Sequence, residues 1–162
     1  MSLPPGLYPE APNAIEARSM RQGGKEPLVL ALDLGTTGVR ALLVDAAGAV
    51  RAEAYRETLP LCPGPGLVEH DTEALLKATL AVAGTVLGEA PADRVRGIGI
   101  ATQRGTAVVW DAATGRAVQH AISWQDSRAA ARCAALMNEG VFVSPLAAAS
   151  KLEWILDRAD PD

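Results

Sequence analysis

The stretch from Leu28 to Asp45, L-V-L-A-L-D-L-G-T-T-G-V-R-A-L-L-V-D, constrains the fold of this chain more than any other. Two apolar runs flank a short turn rich in glycine and hydroxyl groups, which is typical of two buried strands joined as a hairpin. The first run ends near Asp33, and the second carries one cation, Arg40. Glycines let the backbone approach a ligand, hydroxyl and N–H groups donate hydrogen bonds, and a carboxylate can hold a metal ion. The stretch therefore predicts a phosphate-binding hairpin, with an ordinary tight turn as the alternative.

The rest of the chain predicts an α/β fold with a mixed sheet. A third strand after the hairpin gives an antiparallel meander. A later apolar run that contains Gly97 and Gly99 predicts a central crossover strand against which another element packs closely. Residues 60–70, rich in proline and glycine, predict a loop. The further strands are predicted at 49–59, 95–101, 106–110 and 121–124, and the helices at 71–87, 128–138 and 146–158.

The first predicted helix has an apolar stripe that we expect to face the core. Asp71 is a candidate N-cap for this helix. His70 comes just before it, and a histidine at a helix start is more often a hydrogen-bonding residue than a catalytic base. The stripe consists of Leu76, Leu80, Ala83 and Leu87, and it is widened by Leu75, Val82 and Val86.

The composition argues against several classes of protein. Hydrophobic residues make up 49% and aromatic residues 4%, so the core has to be built from aliphatic side chains. The net charge of −4 argues against binding to nucleic acid or to an anionic membrane. No apolar run approaches the ~18 residues that span a membrane. Two cysteines without a C-x-x-C motif indicate free thiols, so we expect a cytoplasmic protein.

The first 27 residues contain several prolines and a Gly-Gly pair without sustained periodicity. This pattern predicts a flexible leader, with one or two helical turns within Ile15 to Gln22. The folded domain is then expected to span residues 28–162.

Two more polar clusters follow predicted strands, where the ligands of such sheets bind. The first runs from Gln103 to Thr106, as Q-R-G-T. The second runs from Trp124 to Arg128, as W-Q-D-S-R. Taken alone, the second cluster is also explained as a capped helix start, with Asp126 or Ser127 as the cap and Trp124 as a core ring.

Together, and in this order, the clusters resemble the amino-terminal part of the FGGY family of carbohydrate kinases, nearest to its glycerol-kinase-like branch. The resemblance covers about Leu28 to Asp160 and implies the ribonuclease-H-like fold of actin, Hsp70 and sugar kinases. In that family two domains close over ATP, Mg²⁺ and a sugar or polyol. The matching stretches are A-L-D-L-G-T-T-G-V-R-A, P-G-L-V-E-H-D, G-I-G-I-A-T-Q-R-G-T-A-V-V-W-D, A-I-S-W-Q-D-S-R and S-K-L-E-W-I-L-D.

The resemblance implies a nucleotide-facing set of residues on the hairpin. Asp33 corresponds to the carboxylate that holds Mg²⁺, often through water. Gly35, Thr36 and Thr37 correspond to the turn that meets the terminal phosphates of ATP. Arg40 corresponds to the arginine that faces the transferred phosphoryl group. A metal, an arginine and backbone donors are the groups that phosphoryl transfer requires here.

The resemblance also implies a substrate-facing set. Gln103, Arg104 and Trp124 correspond to residues that contact the polyol, the arginine through vicinal hydroxyls and the tryptophan through C–H groups. Asp126 is either a further acceptor or a helix cap. Gly105 stands where glycerol kinases carry a glutamate.

A second departure from glycerol kinases is Leu146, which follows Pro145 where those enzymes carry a tyrosine. Both lost groups would contact substrate hydroxyls, and sites built on such contacts discriminate strongly. Because Gly105 also leaves room, we expect a larger polyol or a ketose rather than glycerol.

The general base and the adenosine-binding elements of the family lie beyond the matched stretches. We therefore expect an ATP-dependent carbohydrate kinase domain whose partner is a missing C-terminal domain, and no useful turnover by this chain alone. A non-catalytic sugar-binding module and a truncated remnant are the alternatives. Such a lone domain is expected to expose apolar surface around Trp154 and Ile155, and we expect homo-oligomers as one consequence.

Overall fold

A computed structural model describes residues 15–19, 26–90 and 92–159 of the chain. The chain divides into two compact units. The first unit comprises Met1–Leu59 and Ala74–Thr102, and the second comprises Pro60–Glu73 and Gln103–Asp162. Each unit has its own cluster of buried apolar residues.

Three antiparallel strands form the predicted meander of the first unit. Asp45 shapes the turn between the second and third of them by accepting hydrogen bonds from the N–H groups of Ala47 and Ala49, both at 2.9 Å. The bond from Ala49 and a side-chain bond from Arg51 hold the pKa of Asp45 below its usual value. Gly48 completes the turn with a φ of +81°, which side chains rarely allow. The strands are β2 (Leu28–Leu34), β3 (Gly38–Asp45) and β4 (Val50–Glu57).

A short strand, β1 (Glu16–Ser19), pairs antiparallel with β4. The expected helical turn is therefore wrong for these four residues. The pairing satisfies backbone groups of β4 that would otherwise lie at the edge of the sheet. Residues 1–14 and 20–25 of the predicted leader lie outside the described part of the chain.

The strand β7 (Val95–Thr102) pairs in parallel with β2, so the sheet is mixed, as predicted. The strand order is β1-β4-β3-β2-β7, which puts β7 at the edge of the sheet in the described part of the chain. Ile98 and Ile100 are 64% and 66% exposed, and a β-carbon on Gly97 or Gly99 would meet no atom within 4 Å. The predictions of a central strand and of close packing at these glycines are therefore wrong for the described residues. An apolar composition marks a strand as fit for burial, but it does not say which segment buries it.

The helix α1 (Thr72–Leu87) packs on this sheet through small side chains. The predicted stripe is confirmed at Val82, Ala83 and Val86, which are buried. It is wrong at Leu76 and Leu80, which are 55% and 64% exposed. The helix is rotated so that alanines and valines meet the strands, and small residues let a helix backbone approach a sheet closely. The buried residues of α1 are Ala78, Val82, Ala83 and Val86.

The second unit contains a small three-stranded sheet and two helices. A hairpin occupies most of residues 60–70, where we predicted a loop. The strand predicted at 106–110 is reduced to two single bridges, Ala107 with Ile122 and Trp110 with Ala117. The elements are β5 (Leu61–Gly64), β6 (Leu67–His70), β8 (Ala121–Ile122), α2 (Ala130–Asn138) and α3 (Ala148–Ala159).

The helix α3 buries the residues that we expected to be exposed. Ile155 is 1% exposed and packs with Ala107 and Ile122. Trp154 is partly buried, and the guanidinium of Arg158 lies 3.6 Å from its ring centroid. The prediction of an apolar surface is therefore wrong at Ile155, although Leu156 on the same helix is 48% exposed. Among the described residues, no helix has the length and apolarity needed to cross a bilayer.

We expect Val82→Ala to lower the free energy of unfolding by about 1–3 kcal/mol, because Val82 is fully buried and the variant leaves a cavity. Leu80→Ala, on the same helix, should change it by less than about 0.5 kcal/mol because Leu80 is mostly exposed. Urea unfolding followed by circular dichroism compares the two variants. A larger loss for Leu80→Ala would contradict the observed rotation of α1.

Candidate functional site

The turn between β2 and β3 presents Asp33 and Arg40 side by side. The two residues lie directly opposite each other in the antiparallel pair. A hydrogen bond of 2.9 Å from the Gly35 N–H to the Gly38 carbonyl closes the turn. The Asp33 side chain is exposed and makes no hydrogen bond or ion pair within the described residues. Its carboxylate is therefore available to a ligand.

The third strand braces this turn. The Thr58 N–H donates to the Thr37 carbonyl at 2.9 Å, and the Tyr55 hydroxyl reaches the same carbonyl at 3.4 Å. The Tyr55 ring fills the space that a β-carbon on residue 38 would need, so only glycine fits at Gly38. The turn is thereby fixed by contacts from β4 as well as by its own closure.

Arg40 is held on the exposed face of the sheet by two neighbours on β4. Its guanidinium lies 3.1 Å from the Glu53 carboxylate and 5.6 Å from the Tyr55 ring centroid. The Arg40 side chain is 49% exposed, and ion pairs this exposed contribute little to stability. The guanidinium can therefore exchange this partner for an anionic ligand at low cost.

The hairpin suits a hydrated Mg²⁺ ion better than a fully coordinated one. Mg²⁺ usually binds one or two carboxylates and keeps water and phosphate oxygens as its other ligands. Asp33 supplies one such carboxylate. The part of the chain that the structure describes contains no group of three or more His, Cys, Asp or Glu residues able to hold a metal.

In the second unit, a chain of hydrogen bonds links two of the predicted substrate residues. The Thr106 hydroxyl donates to the Gln103 side-chain oxygen at 3.0 Å. The same hydroxyl oxygen accepts from the backbone N–H of Trp124, also at 3.0 Å. Thr106 therefore positions both residues, a role that its place within the Q-R-G-T cluster alone does not identify.

His70 extends this chain of hydrogen bonds into the interior of the unit. It is 2% exposed and hydrogen bonds to Gln103, while its Nε2 atom has no partner among the described residues. Burial lowers the pKa of His70 more than the bond to Gln103 raises it. The neutral imidazole is thus the form that the fold favours, which agrees with the predicted hydrogen-bonding role.

An open cleft of about 630 Å³ lies beside the Gln103–Thr106 turn. The Arg104 side chain is exposed in it, without a hydrogen bond or ion pair within the described residues. Trp124 is 37% exposed there, so it is not a core ring. A free guanidinium and an accessible indole face are groups that bind hydroxyls and C–H surfaces. The cleft is lined by Arg104, Gly105, Trp124, Leu146, Ala147 and Ala148.

Gly105 has a different consequence from the one predicted. Its φ is +79°, and the Leu146 carbonyl occupies the space that a β-carbon on residue 105 would need. The glycine therefore permits close contact between two backbone segments. The extra room that we predicted at this position is wrong, because main-chain atoms fill it.

The Asp126 carboxylate is committed to protein partners. It is 2% exposed, accepts a 2.6 Å bond from the Val68 N–H, and is paired at 2.7 Å with Arg128, which also binds Glu69. Burial raises the pKa of Asp126, but the bonds from Arg128 and Val68 outweigh burial and hold the pKa below its usual value. Residue Ala129 is the N-cap of α2, so Asp126 does not cap that helix. These contacts favour a structural role for Asp126.

Comparison with known proteins gives a consistent match. The model for the N-terminal domain of the FGGY family of carbohydrate kinases matches residues 28–161. The chain is 43% identical over 143 residues to a glycerol kinase of Gloeobacter violaceus, which covers 82% of this chain and 29% of that protein. It is 42% identical over 146 residues to a glycerol kinase of Rhodospirillum centenum, with 83% and 29% covered.

Solved structures show the same fold. A xylulose kinase from Rhodospirillum rubrum aligns with a TM-score of 0.72 and 27% identity, covering 83% of this chain and 30% of that one. A Plasmodium falciparum glycerol kinase with ADP aligns with a TM-score of 0.72 at 21% identity, covering 84% and 30%. The ribonuclease-H-like fold is thus confirmed. The chain spans about 29% of the length of the curated relatives that it matches.

We expect the stability of the protein to fall as the pH drops below about 6.5. Since burial lowers the pKa of His70, the unfolded chain binds a proton there more readily than the folded one, and stability is present above the unfolded pKa of ~6.5. Urea unfolding between pH 7.5 and 5.5 measures this loss. His70→Gln should abolish most of it, and His120→Gln, which changes the other histidine, should retain it. Equal loss in both variants would argue against His70 as the cause.

Proposed function

This chain belongs to the FGGY family of carbohydrate kinases, and from that membership we propose that it supplies the phosphate hairpin and the sugar-facing cleft of an ATP-dependent kinase. The proposed reaction transfers a phosphoryl group to a hydroxyl of a sugar or polyol. The observation that carries the proposal is the cleft of the second unit, where the exposed Arg104 side chain and the partly exposed Trp124 ring occur together.

On the nucleotide side, the hairpin binds and orients. Asp33 would hold Mg²⁺ through water, and Arg40 would contact the transferred phosphoryl group. The backbone of Gly35, Thr36 and Thr37 would meet the terminal phosphates. When bound, the ion neutralises phosphate charge and aligns the oxygens. The bracing of the turn by Tyr55 supports this role, because preorganised donors stabilise developing charge without reorganising.

On the sugar side, Arg104 would donate to two neighbouring hydroxyls, and Trp124 would pack against the C–H face of the substrate. Gln103 would add a contact whose direction is set by Thr106. Asp126 acts, in this proposal, as a scaffold for the cleft. Gly105 contributes no side-chain acceptor, and a carboxylate missing here removes a contact that glycerol kinases make. The proposal is therefore a sugar or polyol kinase in which glycerol lacks one of the contacts that glycerol kinases give it.

The chain is proposed to work with a C-terminal kinase segment. The general base and the adenosine site of the family lie beyond the matched stretches, and the chain spans about 29% of its relatives. In the first unit, the exposed edge of β7 with Ile98 and Ile100 offers backbone and apolar surface for such a segment. A cytoplasmic location forms part of the proposal, supported by the two free cysteines.

The direct test measures ADP release with a panel of glycerol, erythritol, xylitol, xylulose and ribulose. The chain is assayed alone and together with a C-terminal segment of a kinase of this family. We expect turnover only with the segment, because a missing general base costs about 10²–10⁴-fold. Turnover by the chain alone would refute this division of labour. Sugar binding by the chain without turnover in any combination would indicate a non-catalytic module.

Two substitutions separate the proposed roles in that assembled enzyme. Asp33→Ala should lower kcat by about 10²–10³-fold with little change in sugar affinity, because it removes the carboxylate that would hold Mg²⁺ beside the phosphates. Arg104→Ala should raise the KM for the sugar by about 10–100-fold. Arg116→Ala, which removes an exposed arginine that does not line the cleft, is the matched control. Equal losses of kcat and affinity for Asp33→Ala would contradict its assignment to the metal.

We expect Gly105→Glu to damage the cleft rather than to create a glycerol site. A side chain at residue 105 would meet the Leu146 carbonyl and would force a left-handed backbone onto a non-glycine residue. Differential scanning fluorimetry should show a lower Tm, and the sugar panel should show weaker binding for every member. Gly115→Glu, at a φ of +70° with open space around it, controls for backbone strain alone. A gain of glycerol binding by Gly105→Glu would overturn this expectation.

A further inference from the structure

Lys151 belongs to the S-K-L-E-W stretch, to which the proposed function assigns no role. Its side chain is fully buried, which is rare for lysine. The Nζ atom donates to the Pro145 carbonyl at 2.8 Å and to the Gly105 carbonyl at 3.1 Å. Both acceptors are main-chain atoms, and both belong to segments that border the cleft.

The backbone end of the Lys151 side chain is held in place by the core of the second unit. Lys151 lies on α3, one turn before Ile155, which packs with Ala107 and Ile122. Leu152, the next residue along, packs against the same cluster. The helix therefore holds the Lys151 stem in a set position, and the amine reaches out from a rigid element.

The two segments that it holds have local hydrogen bonds, through Thr106 in the first and Ser144 in the second, but these bonds do not join one segment to the other. Gly105 lies in the turn after β7, and Pro145 lies between α2 and α3, so neither belongs to a strand or helix. No backbone ladder joins them in the described residues. The two segments are nonetheless packed tightly, because the Leu146 carbonyl occupies the space that a β-carbon on Gly105 would need. The lysine bridge is the contact that ties both segments to α3.

The charge of Lys151 serves no ion pair. No carboxylate lies within 4.0 Å of its amine among the described residues, and Asp126, which attracts it from further away, is already paired with Arg128. Burying a cation costs more than burying an apolar side chain of the same size. A methionine here would cost less in solvation but would leave two buried carbonyls without a donor. The lysine amine therefore supplies two directed donors that an apolar side chain of similar size cannot supply.

We propose that Lys151 is a positioning residue that clamps the Arg104–Gly105 turn to the Pro145–Leu146 segment and so sets the width of the sugar cleft. This inference rests on the proposed function, since it takes the cleft to be the sugar site. The clamp acts on main-chain carbonyls, so it controls where Arg104 and Leu146 stand without touching the substrate.

The test compares Lys151→Met, which keeps the stem and removes the donors, with Lys151→Arg and the wild-type chain. Hydrogen exchange should accelerate at least tenfold at residues 103–106 and 145–148 in Lys151→Met, and remain unchanged in β2, β3 and β4. Val82→Ala, at a fully buried position of α1 outside the cleft lining, is the control for a general loss of stability. It should accelerate neither segment selectively when compared at equal distance from its Tm.

Binding of the sugar panel, followed through the indole N–H signal of Trp124, gives the second readout. Lys151→Met should weaken binding at least tenfold, and Val82→Ala should not. If Lys151→Met does not fold, the hydrogen exchange of Lys151→Arg tests the clamp. The planar guanidinium does not match the two carbonyls, so this variant should loosen both segments together. Unchanged exchange, or loosening of one segment alone, would falsify the clamp. Absence of sugar binding by the wild-type chain would count against the proposed function, while the exchange result still judges the clamp.

Discussion

Burial of one face of the β2–β3–β4 meander is the constraint on which the nucleotide-facing side depends. Side chains alternate between the two faces of a strand. Because Leu30, Ala41 and Ala54 are buried on one face of the sheet, the residues that alternate with them lie on the opposite face. Asp33 and Arg40 are among those residues, and they lie opposite each other. A shift of one residue in register would bury both charges. The hydrophobic core therefore positions the polar groups with which it has no contact.

The second unit depends instead on buried polar groups. It has a small apolar cluster, centred on Ala107, Ile122 and Ile155. Around this cluster, the paired Asp126 and the amine of Lys151 hold segments that have little regular structure. Buried polar groups need their partners in fixed directions, so a network of this kind specifies one arrangement of loops. This is the property that a site for a hydroxyl-rich ligand requires, because hydrogen bonds to hydroxyls depend strongly on direction.

Much of the fold could be predicted from local patterns. The hairpin of Leu28 to Asp45 carries strand periodicity on both sides of a turn, and it forms as predicted. The predicted stripe of α1 is wide and contains both Leu80, which is exposed, and Val82, which is buried, because the helical period alone does not decide between its two edges. The choice between them depends on the volume that the sheet leaves for the helix. The edge position of β7 likewise depends on which strands lie beside it. The apolar sequence of β7 alone does not predict its neighbours.

The sequence by itself determined the mixed α/β class, the hairpin and the polar residues that border the candidate site, because periodicity and turn chemistry act over a few neighbouring residues. Only the tertiary structure decided that Gly105 is filled by a carbonyl and that Lys151 is buried against two others. Contacts to main-chain carbonyls do not depend on the identity of the residue that bears them. They leave no pattern in the sequence, and they become visible only when segments distant in the chain are brought together.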